Sequence, residues 1–456
     1  MPNAVTSDPG LLPIYKEWYD DKKMADVLWA ASSVLRDTQM TLAGGKSYNF
    51  STNYSAGGAA SGSALTAAAN AANGQGKNVQ WAVTPGRLFS IFNINPQEIM
   101  SSENVRGAFV PVPVIRMGDG LASLRRLWAI ALYGTGYGEI GQTGVVHVAS
   151  DSAPTTIDLG SYDKIVKLDL GVTFQVTDGD TPADTLRVGV HTVTHIAGTK
   201  VTITSTADET WADDDWICIE GCREGSSPTL PAGLPSWLPL DSTAAATTLY
   251  GVDRSTWVDR LSGNRLARLH AEPLSDFWVR CILQARIAGQ GNEMILIANP
   301  FDYNEFITES SNATALMQQT NMSGAKGSSN FVTRGLAESN FMFQNSWLTK
   351  VYADTYCPQG TFWIVDKDTL EFVLLGGEKV LNDGIASNDP GVQNPADASP
   401  PDYKMFQFML DRYITIQQGT MTAGGPVAQT VFQIYGNFLI RQPGHCVVGN
   451  CVAAST

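Results

Sequence analysis

His191 and His195 stand four residues apart, and Cys218 and Cys222 repeat that spacing, so the chain holds the residue types of a two-histidine, two-cysteine zinc set. That spacing serves a metal on a helix. The run Leu186–Ile196 alternates apolar and polar residues, the period of a strand, where residues four apart are separated by roughly 13 Å and cannot share one ion. The two histidines are expected as solvent-facing strand residues. Asp208, Glu209, Asp213, Asp214 and Asp215 crowd five carboxylates into eight residues, which is oxygen-ligand chemistry suited to calcium. No D-x-D-x-D-G order is present, so a solvated turn between strands is expected, and Asp366, Asp368 and Glu371 are read likewise at a hairpin tip. Gly44-Gly45-Lys46-Ser47 ends like a phosphate-cradling loop, but Met40 occupies the place of its first glycine. The glycines of Tyr133-Gly-Thr-Gly-Tyr-Gly138 follow a helix where a phosphate cradle needs a strand before them, and read as a C-cap and hinge. There is no G-x-S-x-G and no H-E-x-x-H, and five histidines build few triads. Carboxylate pairs of the glycosidase type are spaced in three dimensions and leave no mark in sequence. No catalytic, cofactor-binding or metal-ligating residue is nominated.

The elements that would position these residues are ordinary, but their surface is not. Of 456 residues, 43% are hydrophobic and 9% aromatic, ample for a large core or several, yet only 16% are Asp, Glu, Lys or Arg, against about 25% in ordinary soluble domains. A thin coat of charge points to surface covered by partners. The net charge of −14, with 30 basic residues among 44 acids, excludes a dedicated nucleic-acid binder, which needs a dense basic face. No apolar run is long enough to cross a membrane. Six cysteines are too few for a disulfide scaffold, and Met1–Gly10 lacks the basic and apolar regions of a secretion signal, so the chain is expected to be intracellular when made.

Apolar spacing predicts an amphipathic helix over residues 14–36. Ser47–Gly76 then carries no charge at all, with nine Ala, five Gly, five Ser and four Asn; composition alone fits a flexible linker as well as an extended arm or loop, and its uncharged character suits an arm lying on another protein surface. Asp119 is expected to cap a helix running through Tyr133, with Leu121, Leu124, Leu127, Trp128, Ala131 and Leu132 as its apolar stripe. From about 145 to 225 the period becomes 2, most clearly over Val166–Val176 and Leu186–Val190, which predicts an inserted β-domain. The prolines and glycines of Pro228–Pro239 mark a boundary. Beyond it come helices over Ser255–Leu269 and Leu274–Ala288, a strand at Met294–Ala298, a helix after Pro300, and strands within Phe341–Tyr356, Thr361–Leu375, Tyr403–Gln418 and Val427–Arg441. Helices and strands are segregated, so the fold class is α+β.

Four segments carry a resemblance: Gly233-Leu-Pro-Ser-Trp-Leu-Pro239, Leu249-Tyr-Gly-Val-Asp-Arg-Ser-Thr-Trp257, Asn299-Pro-Phe-Asp-Tyr-Asn-Glu-Phe306 and Asp354-Thr-Tyr-Cys-Pro-Gln-Gly-Thr-Phe-Trp-Ile-Val-Asp366. With the order of elements, they make the chain similar to the major capsid proteins of tailed bacteriophages, the Hong Kong 97-like capsid fold. That resemblance implies an N-terminal arm over 1–40, an extended loop over 41–100, a spine helix region of the peripheral domain over 101–144 and the inserted β-domain over 145–228. An axial-type domain over 229–340 would follow, with peripheral strands and the C-terminal segment over 341–456. It further implies a non-enzymatic subunit, without cofactor, that assembles with itself into hexamers and pentamers by exchanging arms and loops. The resulting icosahedral head would be built in the host bacterial cytoplasm and hold double-stranded DNA non-specifically, with portal, scaffold and decoration proteins as further partners and no membrane. Arg125 and Arg126 read equally as DNA-facing or as solvated. Lys46 and Lys77 flank the loop, but no residue matches the family's subunit cross-link closely enough to carry that chemistry over. The rival expectations are a secreted-type β-rich carbohydrate-active enzyme or glycan-binding protein, prompted by 11 Trp and the many carboxylates, and a tail or decoration protein of a virion.

Overall fold

Met294–Ala298 is apolar at every position, so both its faces must be covered, and all five residues are buried. The computed structural model describes residues 32–43, 46–57, 60–73, 76–94, 112–288, 294–318, 348–375, 415–418 and 428–452. In it this strand lies inside a mixed five-stranded sheet, in the order Asn264–Ala267, Val447–Asn450, Thr361–Asp366, Met294–Ala298, Leu348–Ala353. The first and last pairs are parallel and the two central pairings antiparallel. Helix Leu274–Ala288 turns Leu274, Phe277, Trp278, Cys281, Ile282 and Ala285 onto one face of the sheet. Helix Pro300–Gln318 adds Tyr303 and Phe306 to the same cluster, and Phe306 stacks on Trp278 with ring centroids 4.5 Å apart. One sheet thus unites strands on both sides of residue 340, and the expected division between 229–340 and 341–456 cuts through it.

The chain divides into two compact units. The smaller takes 87–128 and 376–435 together with 1–31. There, strand Gly86–Ile94 pairs with strand Ala428–Ile440, Phe89 meets Tyr435 edge-on at 5.8 Å, and Thr415–Gln418 pairs antiparallel with Thr430–Gln433. The long helix Val112–Leu132 passes from this unit to the larger one after Trp128. Its stripe of Leu121, Leu124, Trp128, Ala131 and Leu132 is buried as the spacing requires. Asp119 lies in the body of that helix, however, because the helix starts at Val112.

The larger unit also holds a six-stranded antiparallel sheet, in the order Glu139–Gln142, Trp216–Ile219, Thr173–Val176, His191–Ala197, Lys200–Ser205, Thr155–Asp158. Its inward residues, among them Ile157, Phe174, Val193, Val201, Ile203 and Ile217, close a core with Ile165, Leu168 and Trp211. The alternating run Val166–Val176 is not one strand. Val166 ends the short helix Tyr162–Val166, Gly171 turns the backbone at φ +79°, and only Thr173–Val176 is strand. Val188 is exposed, and Leu186 joins only through an isolated bridge to Thr177. Ser255–Leu269 is likewise no single helix. Helix Val258–Ser262 stops at Gly263, whose φ of +75° reverses the chain into the strand Asn264–Ala267. Of the expected helix over 14–36, only the turn Ser33–Asp37 falls among the described residues, capped by Ser32.

Pro228–Pro239 is where a boundary was expected, and instead Leu230, Ala232, Leu234 and Trp237 are buried. The backbone of Leu230 and Gly233 donates to the carbonyls of Gly136 and Gly134, and Ala232 donates to Asn437 Oδ1 at 2.8 Å. The segment therefore threads between the end of the long helix and the strand ending at Ile440. Gly233 approaches so closely that a β-carbon there would stand 2.1 Å from the Leu132 carbonyl oxygen. Gly233→Ala is expected to cost about 3 kcal/mol or more, read as a lowered urea midpoint at unchanged m-value. A midpoint equal to wild type would mean the strap is loose.

Candidate functional site

The residues with metal-binding types do not converge. His191 and His195 share the strand His191–Ala197, but His191 points into the core while His195 is exposed. The expectation of two solvent-facing histidines therefore fails for His191. It packs against Phe174 and Trp211, with centroids at 5.3 and 4.8 Å, and its Nε2 lies 3.3 Å from Glu209 Oε2 without forming an aligned hydrogen bond. Cys218 and Cys222 are buried and reduced, and burial pushes the Cys222 thiol up to about 12. Among the described residues no group of three His, Cys, Asp or Glu could hold a metal ion.

The acidic runs are also more than solvated turns. Asp215 is buried and accepts Arg187 Nε at 3.0 Å, a second Arg187 nitrogen at 2.7 Å and the Ala212 N–H at 2.8 Å. Asp208 behaves as a turn residue, accepting the Asp151 N–H. Asp366 receives the Asp368 N–H in the expected turn, but Glu371 is buried and forms a forked pair with Arg441 at 2.6 and 2.9 Å. Gly44 and Gly45 of the phosphate-loop look-alike lie outside the described residues. The tryptophans that prompted a glycan-binding reading are mostly core: Trp81, Trp128, Trp211, Trp237, Trp278 and Trp363 are buried, and Trp257 is the markedly exposed one among the described residues.

What the fold does build is a held-out hairpin. The charge-free stretch forms strand Tyr48–Ser55 and helix Ala64–Asn73, and the strand that follows it, Lys77–Val83, pairs antiparallel with the first. It is therefore more regular than the loop expected from its composition. The base is fixed by aromatic packing: Trp81 stacks on Phe50 at 6.2 Å and meets Trp237 at 5.0 Å, and Trp237 meets Tyr250 at 5.5 Å. Polar contacts tie the same base down. Trp81 Nε1 donates to Thr52 Oγ1 at 3.0 Å, Arg441 donates to the Tyr48 hydroxyl at 3.0 Å, and the Ala82 N–H donates to the Tyr250 carbonyl at 3.1 Å. The tip is different. Residues 61–66 and 68–69 are exposed, and Leu65 is 87% exposed.

The resembling segments are what hold this frame. Trp237 donates to the Phe438 carbonyl at 3.0 Å, and Tyr250 receives Asn437 Nδ2 at 2.7 Å. Arg254, buried and without a carboxylate partner among the described residues, donates to the carbonyls of Ser236, Ala244 and Thr247, and burial lowers its pKa to about 10. Asn299 donates to the Cys357 carbonyl at 2.7 Å, and Asp302 accepts the Gly360 N–H at 2.8 Å, so the third and fourth segments clasp one another.

Compared with solved structures, the chain is similar to a chain of the cyanophage A-1(L) capsid asymmetric unit, with a TM-score of 0.50 at 10% identity over 96% of this chain and 98% of that one. The fold is that of a phage capsid protein. The holo-SrpI encapsulin complex from Synechococcus elongatus PCC 7942 matches at TM-score 0.43 and 6% identity over 96% and 94% of the two chains. The capsid of the native GTA particle matches at 0.42 and 10% over the full length of both. No family model matches the sequence, and no curated protein does. The α+β capsid fold expected from the four segments is thus the fold found.

Within this phage capsid fold, the six-stranded sheet carries a titrating group of its own. Burial lowers the pKa of His191 below its usual value of about 6.5, with Glu209 opposing the shift. The unfolded chain then binds the proton first, so stability is full above about pH 6.5 and falls on acidification. The urea-midpoint difference between wild type and His191→Gln is expected to shrink between pH 7.5 and 5.5. A pH-independent difference would show that His191 titrates normally in the folded protein.

Proposed function

We propose that this chain is the structural subunit of an icosahedral phage head, assembling with itself into hexamers and pentamers and acting without catalysis. The observation that carries this is the hairpin tip. An isolated helix of ten residues is marginal in water even when rich in alanine, and Ala64–Asn73 is one such, bearing no charge. A surface on a second copy supplies the missing contact, and the absence of ions in the segment avoids the cost of stripping water from unpaired charge. The base anchors, in turn, hold the strands rigid enough to deliver the tip to a neighbour. A closed shell repeats such contacts many times, so each need be only modest.

In this reading residues 1–40 are the N-terminal arm, 41–100 the extended loop, 101–144 the spine helix region and 145–228 an insertion in the capsid subunit. The head encloses double-stranded DNA held without base readout, with Arg125 and Arg126 offering charge to phosphate. Assembly takes place in the bacterial cytoplasm, with portal, scaffold and decoration proteins as further partners.

Electron microscopy of the expressed chain is expected to show closed particles, capsomers or sheets. Deleting Ser61–Asn73, or substituting Leu65→Asp, should shift the melting temperature by no more than about 3 °C yet abolish closed particles. Normal particles from either variant would overturn the role given to the hairpin, and a monodisperse monomer from wild type would overturn the shell itself.

A further inference from the structure

The charges of this chain are unevenly shared. From Thr38 to Gln97 there is no acid, and Lys46, Lys77 and Arg87 are the only ions. Residues 145–228, which contain most of the six-stranded sheet, hold 14 acids against 5 bases, the larger part of the net −14. The hairpin is thus a basic element with an uncharged tip, and the insertion is the acidic pole of the same chain. Opposite charge on two parts of one chain draws one copy toward another and sets how they meet.

The insertion also has an apolar face open to solvent. Strand His147–Ala149 pairs antiparallel with Glu209–Trp211, which sets Val148 opposite Thr210. Ala149 and Trp211 turn into the core, so Val148 and Thr210 face outward, and both are exposed. Val145 and Val146 lead into the first strand and are half or more exposed. On the other flank the Gly189 N–H donates to Glu209 Oε1, which lays the exposed Val188 beside the second strand. Four valines and a threonine thus gather on one ribbon, the kind of patch that marks a protein contact. Its rim is acidic at both ends. The Gly144 N–H donates to the Asp213 carbonyl at 2.8 Å, bringing exposed Asp213 and Asp214 next to Val145, and at the far end Asp208 accepts the Asp151 N–H at 2.9 Å.

The hairpin matches this surface in both respects. Its tip helix Ala64–Asn73 is uncharged with Leu65 exposed, and Lys77, exposed too, stands opposite Ser55 at the tip end of the ladder. Leu283 and Ile287 are also exposed on helix Leu274–Ala288, but they lie outside the acidic insertion. We propose that the valine ribbon of the inserted sheet is the seat for the hairpin tip of a second copy, with Leu65 against Val146 and Val148 and Lys77 toward Asp213 and Asp214. This rests on the shell reading and names the surface that receives the tip. Each copy gives one hairpin and receives one, a heterologous contact of the kind that generates rings when the rotation closes.

A cysteine pair tests it. The six native cysteines are buried, so Leu65→Cys with Val148→Cys supplies the accessible thiols. Particles of this variant treated with a short bismaleimide are expected to give chain dimers and longer multimers on a denaturing gel, and either single variant to stay at the monomer. Lys77→Glu is expected to raise the protein concentration at which particles form about tenfold or more, and Asp213→Lys with Asp214→Lys in the same chain to restore it. Circular dichroism melts establish that each variant is folded. Normal particles without cross-linked multimers, or a folded Lys77→Glu chain that assembles as wild type does or is not rescued by the two lysines, would overturn the seat and leave the shell standing. A wild type that stays monomeric overturns both.

Discussion

The seating of Trp81 against Trp237 is the contact on which the rest of the molecule turns. A fully buried tryptophan removes some 200 Å² from water, worth about 5 kcal/mol before ordering costs, and here two such side chains close on each other. One comes from the hairpin, the other from the strap Leu230–Leu238 that threads the core. Around them Asn437 ties the strap to the loop of Tyr250, while Arg441 ties Glu371 to Tyr48. Segments distant in sequence thus meet at one place, and the hairpin with its uncharged tip is held from that place.

That arrangement accounts for the composition. A surface with few ions is a liability for a lone molecule and an advantage for one that covers itself with copies, because uncharged surface is buried without loss of ion hydration. The ions that remain inside are spent on architecture. Arg187 with Asp215 and Arg441 with Glu371 join segments distant in sequence, and Arg254 satisfies three backbone carbonyls.

The six-stranded sheet is a self-sufficient element of the larger unit, with its own core around Phe174, Trp211 and Val201. Its buried His191, close to Glu209, is an imidazole whose pKa burial lowers, set in an otherwise apolar interior. Its acidic loops, far from forming an ion-binding patch, divide into an interior pair, a forked arginine contact and a solvated turn.

Much was legible in the sequence. Met294–Ala298 and Leu274–Ala288 are found at the expected bounds because a continuous apolar run and a 3.6-residue stripe each have one good solution. Four short motifs announced the fold. What local pattern could not decide was anything set by distant partners. Val166 and Leu168 alternate like strand residues yet are buried by a helix and a turn, since alternation reports which residues face inward and not the path between them. His191 and Glu209 looked solvated because polar residues in a strand usually are, and only the closing of the sheet over them made them interior. Pro228–Pro239 looked like a boundary, and became a core strap because Gly233 lets two backbones touch. Composition and periodicity determine which surfaces seek cover, whereas tertiary structure decides what covers them, because burial is a property of pairs of segments and pairs are not written in either one alone.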